Sequence, residues 1–174
     1  MLMVVLEEIE QARARFLKYT RKAFLRLPHR EKPKILDVDC GSGIPTIELA
    51  KLSNGEVTGI DTDKSRIDEL NTKIRNEALS KRVEGINLSM FEMKFPDEAF
   101  DIIWSEGVIR TIGFETSLRQ WRRFLKRNGY LVIHCQTKYI ADSLYQIPEH
   151  GYSLKETVQL PLDAWWIEFY QPLE

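Results

Sequence analysis

Apolar positions divide the chain into two parts. Leu2, Val5, Leu6, Ile9, Ala12, Phe16, Leu17, Ala23, Phe24 and Leu27 recur largely in steps of three and four. That spacing lays an apolar stripe along one long helix, which Pro28 ends. After a polar hinge, His29 to Pro33, short β-rich runs alternate with helical ones. The runs that read as strands are Lys34 to Val38, Glu56 to Ile60, Val83 to Leu88, Phe100 to Trp104, Tyr130 to His134 and Ser153 to Leu160.

Between them, Pro45 to Leu52 suits a helix, because proline fits a first turn whose N–H groups have no partner anyway. Ser53-Asn54-Gly55 stops it. Asp63 to Leu79 carries Ile67, Leu70, Ile74 and Ala78 on one face, with Thr62 or Asp63 placed to cap the first turn. Leu118, Trp121 and Leu125 mark another helix, stopped by Asn128-Gly129, and Tyr139, Ile140 and Leu144 a shorter one before Pro148. Strands alternating with helices imply right-handed crossovers, so the expected fold is α/β, a doubly wound, mostly parallel sheet. Residues 1–33 form a helix and hinge against a core domain of residues 34–174. Ligands of such sheets bind beyond the carboxyl ends of the strands.

Composition narrows this picture in four ways. A chain of 174 residues with 43% hydrophobic and 29% charged positions is the profile of one globular domain, large enough to need no disulfide or metal for stability. Cys40 and Cys135 lie far apart without metal-ligand spacing, so no metal is expected and a reducing, cytoplasmic setting is. The apolar start, Met1 to Leu6, is too short for a signal-peptide core or a membrane span. Net charge is −1, yet Gln11 to Lys34 holds nine Lys/Arg against the single acid Glu31. Such a run is either a basic arm for a phosphate-bearing partner such as RNA or the solvated face of a helix. The absence of an aromatic-rich RNA motif favours the helix face, and nucleic acid is not an expected partner.

The chemistry gathers in loops that follow strands. Ile35-Leu36-Asp37-Val38-Asp39-Cys40-Gly41-Ser42-Gly43-Ile44-Pro45 runs from a hydrophobic strand through a glycine turn into a helix. Glycine lets a ligand approach the main chain, and the helix start offers N–H groups to a carboxylate or phosphate. Eighteen residues beyond Gly43, Asp61 ends the next strand, where a carboxylate can accept both hydroxyls of a ribose. A phosphate-binding P-loop needs Lys-Ser/Thr after its last glycine, and Ile44-Pro45 stands there instead. A dinucleotide fingerprint needs a third small residue where Thr46 sits, which leaves NAD a poor fit.

Taken in order, the motifs resemble those of the class I S-adenosylmethionine-dependent methyltransferases of the small-molecule type. The resemblance rests on ILDVDCGSG, GIDTD, INLSMFEMKFPDEAFDIIWSEG and LKRNGYLVIH, and covers most of Lys34 to Cys135. It implies a Rossmann-like methyltransferase fold, S-adenosyl-L-methionine as cofactor and methyl transfer to a small molecule. Asp37, Gly41 and Gly43 would face the methionine end and Asp61 the ribose. Thr62, Ser89 and Met90 would surround the adenine, and Glu106 and Gly107 would close the pocket. The segment AWWIEFYQPLE looks like the late part of some small-molecule methyltransferases.

Two departures qualify the resemblance. The family loop reads Asp-x-Gly-x-Gly-x-Gly, and Asp39 replaces the first glycine. Its carboxylate either repels the cofactor's own carboxylate or pairs with its ammonium or sulfonium. The chain also stops at Glu174, before the family's last antiparallel strand. Either Ala164 to Tyr170 supplies that strand, or the sheet ends at an edge that a second copy covers in a homodimer. Trp165, Trp166, Phe169 and Tyr170 are read first as packing and otherwise as an acceptor pocket or dimer contact. No catalytic residue is assigned: His134, ending the fifth strand, is either a general base or an ordinary hydrogen-bonded histidine. The N-terminal helix is expected to cover the crevice as a lid. The alternative function is a degenerate relative that serves as a non-catalytic partner subunit.

Overall fold

The computed structural model describes residues 11–161, 163–164 and 166–171. Leu2, Val5, Leu6 and Ile9 of the apolar stripe lie outside the described residues, as do Trp165 and the side chain of Phe169. A helical stretch over residues 11–15 leads through a turn at Phe16 into α1, Leu17–Phe24. Five strands follow: β1 Lys34–Val38, β2 Glu56–Asp61, β3 Val83–Asn87, β4 Phe100–Glu106 and β5 Leu125–His134. Their order is β3-β2-β1-β4-β5, all parallel, the doubly wound arrangement expected. The order reverses at β1 and β4, the place beyond the strand ends where ligands of such sheets bind.

Alternation along the central strands assigns the two faces of the sheet. Ile35 and Ile102 point to one side, into a core with α2 (Ile44–Ser53) and α3 (Lys64–Asn76). Leu36 and Ile103 point to the other, against α4 (Ile109–Ile112) and α5 (Phe114–Trp121). Leu36, Leu49, Leu70, Ile103 and Trp121 are fully buried, and each such side chain stabilises the fold by about 1.5–3 kcal/mol. The end of α1 joins the first of these cores, where Phe24 stacks obliquely on Trp104 with centroids 6.4 Å apart. Asp63 caps α3, its carboxylate accepting the amides of Ser65 at 2.9 Å and Arg66 at 3.4 Å.

Four expectations need correction. Leu125 belongs to β5, not to a helix, and Asn128-Gly129 is a bulge within that strand. The ladder steps from Phe100↔Leu125 to Ile102↔Tyr130, so the extra β5 residues loop out. Gly129 is required there because a Cβ would lie 2.7 Å from Leu125 and 3.0 Å from the Asp101 carbonyl. The residues after β5 form three short 3-10 turns, Thr137–Tyr139, Ala141–Gln146 and Pro148–His150, instead of an α-helix. Ser153 to Leu160 pairs with no strand, because its alternation meets no sheet edge and Leu154 stays 55% exposed. Finally, Trp166–Tyr170 winds as a π-helix, so among the described residues the sheet ends at β5.

Candidate functional site

The glycine turn leaves β1 with Asp37 already inside the protein. Asp37 is 1% exposed, and the Thr46 hydroxyl of α2 donates to it at 2.6 Å. Burial pushes its carboxyl up to about 8, with Glu106, Asp39 and Asp61 adding repulsion and the Thr46 bond opposing. Asp39 and Gly41 both take left-handed backbone angles, φ 62° and 57°. A non-glycine residue there is uncommon, and aspartate is among the more tolerant types, so the turn keeps its shape with Asp39 at the first glycine position. Gly43, φ 83°, opens α2. Its bare Cα serves packing: a Cβ would come within 2.2 Å of the Leu70 Cδ1.

Asp61 at the end of β2 meets this turn directly. The Gly41 amide donates to Asp61 Oδ2 at 2.9 Å and the Asp63 amide to Oδ1 at 2.8 Å. The carboxylate is therefore fixed at the mouth of the crevice, with lone pairs left for hydroxyl donors. Beyond it, the Asn87 side-chain amide donates to the carbonyls of Asp61 and Thr62 at 3.0 and 2.9 Å. These bonds tie β2 to the turn after β3. In that turn the Phe91 amide donates to the Ser89 hydroxyl at 3.2 Å, and Met90 rests half-buried on the core. Thr62, Ser89 and Met90 thus share the rim beside Asp61.

On the opposite side stands Glu106, in register with His134 on β5. Glu106 Oε1 accepts from the Thr20 hydroxyl and the Trp104 indole, each at 2.8 Å, while Oε2 lies 3.8 Å from His134 Nδ1. Burial would raise its carboxyl, yet His134, Trp104 and Thr20 outweigh that and hold it below the usual range. Gly107 turns away at φ 88°, its amide donating to the His134 carbonyl at 2.8 Å. The acids foreseen from the sequence, Asp37, Asp39, Asp61 and Glu106, thus gather around one crevice.

Sequence reasoning placed Ala12 and Phe16 on the apolar stripe but missed Thr20. Ala12, Phe16 and Thr20 are buried at 1%, 6% and 3%, and Phe16 lies 6.2 Å from the His134 ring. The helical segment therefore packs over the carboxyl ends of β4 and β5 and reaches Glu106 through Thr20, a polar residue inside the apolar stripe, which was the available signal. Trp104 and the pair Arg13 and Arg66, beside Gly41, carried none. The basic run proves to be a strap. Arg21 pairs with Glu48, Arg26 with Glu156 and Lys18 with Glu168, so these charges face the chain's own acids. Cys40 and Cys135 are both free, and burial raises both thiols. Among the described residues no helix is long and apolar enough to cross a membrane.

Comparison with known proteins agrees with this geometry. A family profile described as "Methyltransferase domain" matches residues 36–133. The sterol 24-C-methyltransferase of Aspergillus fumigatus is 28% identical over 106 residues, 60% of this chain and 28% of that protein. The 27-O-demethylrifamycin SV methyltransferase of Amycolatopsis mediterranei is 29% identical over 108 residues, 62% of this chain and 40% of that protein. A solved SAM-dependent methyltransferase from Aquifex aeolicus superposes with a TM-score of 0.68 at 19% identity, covering 81% of this chain and 83% of that one. The chain spans less than half the length of the first curated relatives it matches.

Proposed function

Because the chain belongs to the methyltransferase-domain family, we propose that it binds S-adenosyl-L-methionine in the crevice at β1 and β4 and transfers its methyl group to a small-molecule acceptor. The observation that carries this reading is the contact between the Gly41 amide and the Asp61 carboxylate, which joins the glycine turn to a fixed hydroxyl acceptor. The residues fit the cofactor. Asp39 keeps the left-handed turn, Asp61 accepts from the ribose, and Thr62, Ser89 and Met90 flank the adenine. Asp37 faces the ammonium, and a cation there favours the ionised carboxyl that burial otherwise opposes.

When bound, the cofactor supplies a methyl group on a sulfonium that needs no further activation. What remains for this chain is alignment of the acceptor and exclusion of water. The first falls to the residues beside Glu106, the second to residues 11–24, held by Thr20 and by the Arg21–Glu48 pair. Relatives named for a sterol and a rifamycin support a small-molecule acceptor. Free cysteines support a reducing, cytoplasmic setting. A homodimer over the open edge of β5 belongs to the same reading, and analytical ultracentrifugation tests it.

Calorimetric titration with S-adenosylmethionine and S-adenosylhomocysteine tests the function. Submillimolar binding of both, lost in Asp61→Ala, is expected. No heat at any concentration would leave the non-catalytic partner subunit as the better reading.

A further inference from the structure

The large apolar side chains that stand in solvent are not scattered over the molecule. Among the described residues there are seven, and five of them, Leu25, Leu154, Trp166, Ile167 and Tyr170, lie at the end of α1 or in the C-terminal segment. Two ion pairs bring these stretches together: Lys18 pairs with Glu168 and Arg26 with Glu156. The lower number on α1 meets the higher one beyond β5, so the C-terminal segment runs antiparallel along the helix. Leu25, 74% exposed, adjoins Arg26, Leu154 stands two residues before Glu156, and Trp166, Ile167 and Tyr170 bracket Glu168. Lys18, Lys22 and Leu25, spaced by four and then three, share the outer face of α1, opposite Thr20 and Phe24. The apolar groups therefore flank both ion pairs.

The two pairs do not exhaust the charge of this face. Arg15, Lys22 and Lys155 are exposed and meet no acid among the described residues, against Asp163 as the exposed acid left over. Arg15 and Lys22 are seven apart, again on one side of the helical segment. Cations beside exposed tryptophan, tyrosine, leucine and isoleucine have the chemistry of an interfacial surface. Aromatic rings favour the headgroup level, aliphatic groups gain by entering the acyl boundary, and lysine and arginine are drawn to anionic headgroups. A nucleic-acid backbone would engage the cations and leave Leu25, Leu154 and Ile167 in water. A lipid surface takes both kinds of group.

We propose that the outer face of α1 and the C-terminal segment paired with it dock on an anionic lipid bilayer. Leu25, Leu154, Trp166 and Ile167 enter the headgroup region, and Arg15, Lys22 and Lys155 meet lipid phosphates. The chain lies on the bilayer without crossing it, and binding is reversible because it draws on a few charges and a small apolar area together. The inner side of α1 reaches Glu106 through Thr20, so the lipid surface sits one helix diameter, about 10 Å, from the carboxyl end of β4.

Cosedimentation with vesicles tests this, comparing phosphatidylcholine alone with equimolar phosphatidylcholine and phosphatidylglycerol. The native protein should bind the mixed vesicles at least about tenfold more tightly, and salt should weaken that binding. Lys22→Gln should weaken it about fivefold, and Trp166→Ala about tenfold. Arg119→Gln, the same charge change at an exposed residue of α5 on the other side of the sheet, should alter nothing. Absence of binding to the mixed vesicles, or equal binding to both kinds, would overturn the proposal. So would equal weakening by Lys22→Gln and Arg119→Gln, which would mark a response to net charge, or unchanged binding in Trp166→Ala. Salt-dependent binding of polyuridylic acid without vesicle binding would also overturn it and assign the face to nucleic acid.

Discussion

Asp37→Asn isolates the conflict between stability and ligand capture at this site. The native carboxyl sits 1% exposed with one hydroxyl donor at 2.6 Å, and burial first, then Glu106, Asp39 and Asp61, push it from 3.8 to about 8. At about 1.4 kcal/mol for each pH unit between those values, ionising Asp37 inside the fold costs on the order of 5 kcal/mol. The folded protein therefore holds a proton that the unfolded chain releases near 3.8, and stability falls as pH rises through that window, levelling off above about 8. Asparagine keeps the shape and can accept from Thr46 without ever ionising. Urea unfolding from pH 6 to pH 9 should thus show the native protein losing about 3 kcal/mol relative to Asp37→Asn. Parallel curves, with the difference unchanged to within about 0.5 kcal/mol, would refute the reasoning. The same physics makes cofactor capture release close to one proton near pH 7, read as a buffer-dependent binding heat.

Three further outcomes test other contacts. Gly43→Ala should destabilise by about 2–4 kcal/mol in urea unfolding, since it adds backbone strain at φ 83° and displaces Leu70. Thr20→Val removes the helix contact to Glu106. It should cost about 1.5–3 kcal/mol and speed amide exchange over residues 17–24 while the central strands stay protected. Asp101, half-buried between the Lys34 amide at 2.9 Å and Lys126 at 2.8 Å, is held below its usual range, burial opposing and these partners prevailing. Its contribution is present above the unfolded value and lost as pH falls through the folded one. Asp101→Asn should therefore destabilise by about 1–3 kcal/mol at pH 7, with the gap closing in acid, as denaturation at both pH values would show.

The five strands and the turns after them were legible because buried parallel strands are short, apolar and closed by glycine or acid. ILDVDCGSG and GIDTD announce both strand and ligand loop in one run. Asn128-Gly129 misled because an Asn-Gly pair ends helices and also fills bulges, and only the Asp101 carbonyl pressing on Gly129 separates the two. Ser153 to Leu160 carries a strand's alternation, but strand formation needs an edge to pair with, which alternation does not encode. At the site, Asp37, Asp61 and Glu106 were foreseen from their places at strand ends. Arg13 and Arg66 were not, since each is one basic residue among many until the fold brings both to Gly41. The basic run was similarly ambiguous until Glu48, Glu156 and Glu168 appeared opposite it.

The most direct measurement is a crystal structure of the protein with S-adenosylhomocysteine. The account predicts the ribose hydroxyls on Asp61, the adenine beside Ser89 and Met90, and the amino-acid end beside Asp37 and the glycine turn. Ligand density outside the β1–β4 crevice, or a crevice still filled by side chains at saturating ligand, would contradict it.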